Sequence, residues 1–201
     1  MTARWRTAAV TAMAVAAVCA LAGCTVDNSG LDEAQAPAAI TVGSGESAES
    51  QVVAEIYAEI LRGTGSPVDV AAPTTRAEYV EELGAADVTV VPDFTGPLLH
   101  HFQPDSELTD PDEVFDELNR SLPEGLSVSD YSDAELEAEG SAPAQNVVPL
   151  IRNGVLTEDQ IKALNVVAGE LTSADLASMA ARVRQGESDP ERAADEWLGA
   201  R

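Results

Sequence analysis

From Ile40 onward the chain alternates two hydrophobic rhythms. Short apolar, β-branched runs, Ile40-Thr41-Val42, Val68-Asp69-Val70 and Val88–Val91, suit strands. Between them apolar residues recur every three or four positions, the spacing of one helix face. Val52, Val53, Ile56, Tyr57, Ile60 and Leu61 predict the first helix. Ser47 can cap it, with Glu49 and Ser50 close behind, and Gly63 and Gly65 follow its end. Thr75–Leu83 predicts a second, shorter helix. The resulting order, β-α-β-α-β, implies parallel strands joined by right-handed crossovers.

The rest of the chain is more helical. Gly96–Phe102 predicts a helix, and Asp110-Pro111 opens another that runs through about Leu118, with proline in its first turn. Leu126–Val128 and Val147–Ile151 are strand candidates, separated by an acidic, then Gly-, Ser- and Pro-containing loop over Tyr131–Ala144. Thr157 starts a helix with Ile161, Leu164 and Val167 on one face. Thr172–Asp175 starts the next, with Leu176, Met179, Ala180 and Val183 aligned until Gly186. Pro190 opens a last helix carrying Ala193, Ala194, Trp197 and Leu198. These three helices read as packing elements.

One stretch carries candidate chemistry. After Val88–Val91, Pro92 is expected to stop the strand, because it has no N–H for the ladder. Asp93-Phe94-Thr95-Gly96 then falls where a parallel strand ends, and open α/β sheets bind ligands outside those carboxyl ends. A carboxylate, an aromatic face and a hydroxyl there look like half of a recognition site. The simpler reading is a strand-to-helix turn with Phe94 tucked into the core.

Composition adds an address and a charge. Arg4 and Arg6 precede the small, mostly apolar stretch Thr7–Ala20, which ends in Leu21-Ala22-Gly23-Cys24. This has the layout of a secretory signal (residues 1–23), and the stretch is short for a membrane span. Leu-Ala-Gly-Cys resembles the lipobox of bacterial lipoproteins, in which the cysteine is lipidated; an ordinary signal with an incidental cysteine is the alternative. Cys19 would leave with the signal and Cys24 would carry lipid, so no disulfide is expected. Residues 24–39 are small, polar and acidic, the composition of a flexible tether. The formal charge of the whole chain is −24, which repels nucleic acid and favours cationic ligands.

Familiar catalytic patterns do not occur. His100 and His101 are adjacent, so on a helix they diverge and share a metal poorly. The sequence has no H-E-x-x-H and no G-x-S-x-G, and Gly43-Ser44-Gly45 lacks the lysine of a phosphate-binding loop. No metal, cofactor or catalytic residue is therefore expected, and an enzyme is not.

Two segments, I-T-V-G-S-G-E-S-A-E-S-Q-V-V-A-E-I-Y (Ile40–Tyr57) and V-V-P-D-F-T-G-P-L-L (Val90–Leu99), resemble the substrate-binding lipoproteins of glycine betaine/choline-type osmoprotectant ABC transporters. That family shows a Val-Gly-Ser opening, a Glu before an Ala-Glu-Ile-Tyr helix, and a Pro-Glu-Tyr-Thr-Gly turn. Here these stand as Val42-Gly43-Ser44, Glu49, Ala54–Tyr57 and Pro92–Gly96. The run Leu164–Leu198 is similar to the family's closing helices.

The resemblance implies an α/β lobe of the type II periplasmic-binding-protein-like fold over residues 40–201. It implies a central, mostly parallel sheet flanked by helices, with the C-terminal helices returning to the same lobe. Family members have two lobes, and here the second is missing near residues 131–146, taking one jaw of the cleft with it. Phe94 replaces the usual tyrosine, which keeps the cation-attracting ring face and loses the hydroxyl. The implied ligand is a small quaternary amine, held by Ser44, Gly45, Glu46, Phe94 and Thr95. The implied partners are an ABC permease and, through lipid on Cys24, the extracytoplasmic face of the cell membrane. The competing expectation is a degenerate or partner-dependent envelope lobe that binds no solute alone.

Overall fold

The computed structural model describes residues 39–135 and 145–201. The expected signal, Cys24 and most of the tether lie outside those residues, as does much of the junction where the family's second lobe would enter. Five strands form one sheet: β1 (Ile40–Val42), β2 (Val68–Val70), β3 (Val90–Phe94), β4 (Leu126–Val128) and β5 (Val147–Arg152). Their spatial order is β2-β1-β3-β5-β4. β1 pairs in parallel with β2 and β3, and β5 lies antiparallel to both β3 and β4. Thus the sheet is mixed, with β5 the one reversed strand.

Among the described residues seven helices cover it: α1 (Ala48–Gly63), α2 (Arg76–Ala85), α3 (Thr95–Phe102), α4 (Pro111–Ser121), α5 (Glu158–Glu170), α6 (Ser173–Arg184) and α7 (Pro190–Gly199). Most begin where the sequence supplies a cap. Ser47, Thr157 and Thr172 each accept a hydrogen bond from the backbone N–H three residues on, and Asp110 and Asp189 precede Pro111 and Pro190 at the first helical position.

Alternation along the central strands divides the interior in two. Val90, Phe94, Val147 and Ile151 join Val52, Ile56 and Leu61 of α1 with Leu164, Leu176 and Trp197 of α5–α7. Val91, Val148 and Leu150 turn the other way, to Leu83 of α2, Leu98 and Leu99 of α3, and Val114 and Leu118 of α4. Helices on both faces of a predominantly apolar sheet make a three-layer α/β fold, and the C-terminal helices do pack where α1 needs cover.

β3 differs from its expected extent. It begins at Val90 rather than Val88 and continues through Pro92 to Phe94. Pro92 sits opposite Pro149 of β5. Its carbonyl turns away from β5 and accepts from Ser50 Oγ, while the Pro149 carbonyl accepts from Ser129 N on the far side. At this register neither proline owes an N–H to the β3·β5 ladder, so both fit inside the sheet.

The α1·α7 contact contains a charge conflict. Burial raises the Glu55 carboxyl above its ordinary 4.5, and the Glu191 charge on α7 adds to that, against a smaller opposing effect of Arg62. A raised pKa means the fold favours the protonated form. Glu55 therefore helps folding below its unfolded pKa of 4.5, and that contribution is lost as pH rises through the folded value. Glu55→Gln is expected to raise the thermal midpoint at pH 7 by about 1–2 °C, the scale of a few tenths of a kcal/mol. The gain should vanish near pH 4, as thermal scans of both proteins at the two pH values would show.

Candidate ligand-binding site

The connections leaving β1 and β3 diverge, one returning over α1 towards β2 and the other entering α3 on the opposite face. Such a switch point leaves a crevice at the strands' carboxyl ends. Here it is a cavity of about 360 Å³, walled by Gly45, Glu46, Ser47 and Ser50 on one side. Thr74, Thr75, Arg76 and Tyr79 from the start of α2, and Asp93, Phe94 and Pro97 from the β3–α3 turn, complete it.

Close approach shapes the β1–α1 loop. A Cβ on Gly43 would lie 3.0 Å from Val91 Cγ2 and 3.1 Å from Val88 Cγ1, so the strand ends there without a side chain. Ser50 then pins the loop to β3. Its hydroxyl accepts from Gly45 N (2.8 Å) and donates to the Pro92 carbonyl (3.2 Å). Thr74 N donates to Ser44 O, which ties the β2–α2 connection to the same loop.

The floor of the cavity is a buried ion pair. Asp93, 2% exposed, accepts from Arg76 Nε (3.0 Å) and Tyr79 Oη (2.5 Å) on Oδ2. On Oδ1 it accepts from Arg76 Nη2 (2.8 Å) and the Phe94 N–H (2.7 Å). The Arg76 fork is bidentate, the strong geometry for guanidinium and carboxylate. Burial alone would lower the Arg76 pKa, but the hydrogen bonds and charge of Asp93 outweigh it and raise the value. Burial, and then the Asp93 charge, raises Tyr79 likewise, so the phenol stays neutral and donates.

Of the five residues expected from sequence, Gly45, Glu46 and Phe94 line the cavity. Phe94 is 6% exposed and belongs to the core on the α1 side, so one ring serves both packing and lining. Ser44 and Thr95 lie behind the lining and are fully buried. Asp93, read as a group presented to a ligand, is instead consumed by its own neighbours. Sequence reasoning missed Ser50, Arg76 and Tyr79. The last two had a signal: three residues apart at the start of a helix that follows a strand, they share one face over the strand ends. No group of His, Cys, Asp and Glu among the described residues could hold a metal ion.

Comparison with known proteins gives the family and the fold. The family model for the substrate binding domain of the ABC-type glycine betaine transport system matches residues 38–138 and 133–200. No curated protein sequence matches the chain. Among solved structures, apo YehZ from Escherichia coli superposes with a TM-score of 0.72 at 11% identity, covering 81% of this chain and 98% of that one. A glycine betaine/carnitine/choline ABC transporter protein gives 0.67 at 8% identity, covering 81% and 97%. At such identities these two show a shared fold. The family match spans nearly all of the chain from β1 to α7, and the protein belongs to the substrate-binding domains of ABC-type glycine betaine transport systems.

Proposed function

We propose that the protein is the lipid-anchored, extracytoplasmic binding component of an ABC importer for quaternary-amine osmoprotectants of the glycine betaine and choline type. The observation that carries the reading is the cavity at the sheet's switch point, with the rings of Phe94 and Tyr79 in its wall and the Glu46 carboxylate at its rim. A trimethylammonium group has no N–H to donate, so aromatic faces and a nearby negative charge are what can recognise it. Family membership supports work with an ABC permease, and the lipobox-like Leu21–Cys24 supports the anchor.

The two family matches overlap at residues 133–138, which supports the reading that the family's second lobe is missing near that point. A ligand here would keep one side in water. That favours a second reading in which another chain supplies the opposite jaw.

Isothermal titration of the purified chain with glycine betaine and choline tests the first reading. Saturable binding is expected, and Phe94→Ala should weaken it by about tenfold, the scale of one cation–π contact of ~1–2 kcal/mol. Absence of heat from the folded protein at millimolar ligand would overturn binding by the lobe alone and leave the two-chain reading.

A further inference from the structure

We propose that Asn153 is a site of spontaneous covalent modification, in which the Gly154 amide nitrogen attacks the Asn153 side chain and expels ammonia. Asn-Gly occurs once in the chain, in the turn that leaves β5. Both residues are exposed, and Gly154 stands at φ +77° in open space, where an added Cβ would meet nothing within 4 Å. No side chain shields its nitrogen. The N–H that follows every other described asparagine is held. Arg120 and Val166, after Asn119 and Asn165, lie inside α4 and α5, where the helix ladder takes their amides. Val147 N, after Asn146, donates to Ala134 O (2.9 Å). Gly154 N makes no hydrogen bond among the described residues, so its proton is the one open to loss.

The step needs only water as a co-reactant. The Gly154 nitrogen gives up its proton and bonds to Asn153 Cγ, the Cγ–Nδ2 bond breaks, and Nδ2 leaves with a proton as ammonia. Water then opens the cyclic imide at either carbonyl. One opening leaves aspartate; the other leaves isoaspartate, with the main chain running through Cγ. Either product changes the end of the sheet. Asn153 Nδ2 donates to Leu126 O (3.4 Å), and Leu126 stands opposite Arg152 in β4, an edge strand paired only with β5. An ionised carboxylate accepts hydrogen bonds and donates none. It therefore loses this contact, sets a negative charge near the Leu126 carbonyl and loosens the start of β4.

The experiment ages the folded full-length protein at pH 8 and 37 °C and follows its tryptic peptides by liquid chromatography and mass spectrometry. Digestion is kept short and mildly acidic, with an unaged sample as control. The Asn153–Lys162 peptide should gain the mass that separates a carboxyl from an amide and split into two products, several-fold faster than the peptides holding Asn119 and Asn165. Asn153→Gln should abolish the change. Hydrogen exchange in β4 should quicken in the aged protein and in Asn153→Asp alike, which separates the product's effect from general ageing. An Asn153 that stays intact in the folded protein while it converts in urea would overturn the proposal, because the turn would then protect it. Conversion of all three asparagines at one rate would overturn it as well. Conversion with unchanged exchange in β4 would overturn the structural consequence.

Discussion

Arg76→Met is expected to be the more damaging half of a strongly coupled pair. It leaves the Asp93 carboxyl group at 2% exposure with only a phenol and a backbone N–H as partners. Breaking a buried ion pair from one side costs about 3–5 kcal/mol. Arg76 retains some contact with water, with a side chain 31% exposed. Solvent therefore screens the pair, and the loss should lie near the lower end, about 3 kcal/mol. Asp93→Ala removes the less exposed partner and lets the arginine turn outward. Its cost comes instead from Tyr79 Oη and the Phe94 N–H losing their acceptor, about 2 kcal/mol. The combined Arg76→Met, Asp93→Ala protein should be closer to wild type than the sum of the two losses, because no charge is then stranded. Urea unfolding of the four proteins measures this. Strict additivity would mean that the pair contributes nothing as a pair.

Gly43→Ala is the second large effect. The added Cβ meets methyls of Val91 and Val88 at 3.0 and 3.1 Å, and both valines are β-branched core residues with little freedom to turn aside. Overpacking of this kind costs about 1–3 kcal/mol. The same substitution two residues later is milder, since at Gly45 the nearest atom is Ser50 Oγ at 3.3 Å, which can rotate. The two variants should separate by readout. Gly43→Ala lowers the denaturation midpoint by pushing β1 from β3. Gly45→Ala disturbs the Ser50 clamp and lowers ligand affinity with little loss of stability. Equal midpoints for the two variants would show that the space at Gly43 is not the reason for its glycine.

Helices were legible where a polar cap met apolar spacing: Ser47, Thr157, Thr172 and Pro190 each mark a start that the structure keeps. The end of β3 was not, because a proline's effect on a strand depends on where its missing N–H would have pointed. That is set by the neighbours, β1 stopping short on one side and Pro149 standing opposite on the other. The position of Phe94 after a parallel strand points either to a ligand-facing turn or to the core, and the ring both lines the cavity and packs in the core on the α1 side. Asp93 could not be assigned from its own neighbourhood. Its partners lie 17 and 14 residues earlier on a different element, and only the β2–α2–β3 connection brings them over the strand end. Arg76 and Tyr79 at a three-residue interval were the visible half of that pairing.

The position of β5 also constrains when this protein can fold. The strand lies between β3 and β4 although it follows both in the chain, and α1 waits for α6 and α7, more than a hundred residues downstream, to cover its apolar face. A nascent chain that has released everything up to β4 still has β3 with an unpaired edge and one core half open. Its closing contacts join distant segments, which makes for slow folding and a late all-or-none step. Until α6 and α7 arrive, the unfinished polypeptide exposes the apolar face of α1 and an unpaired strand edge, and is therefore prone to aggregation.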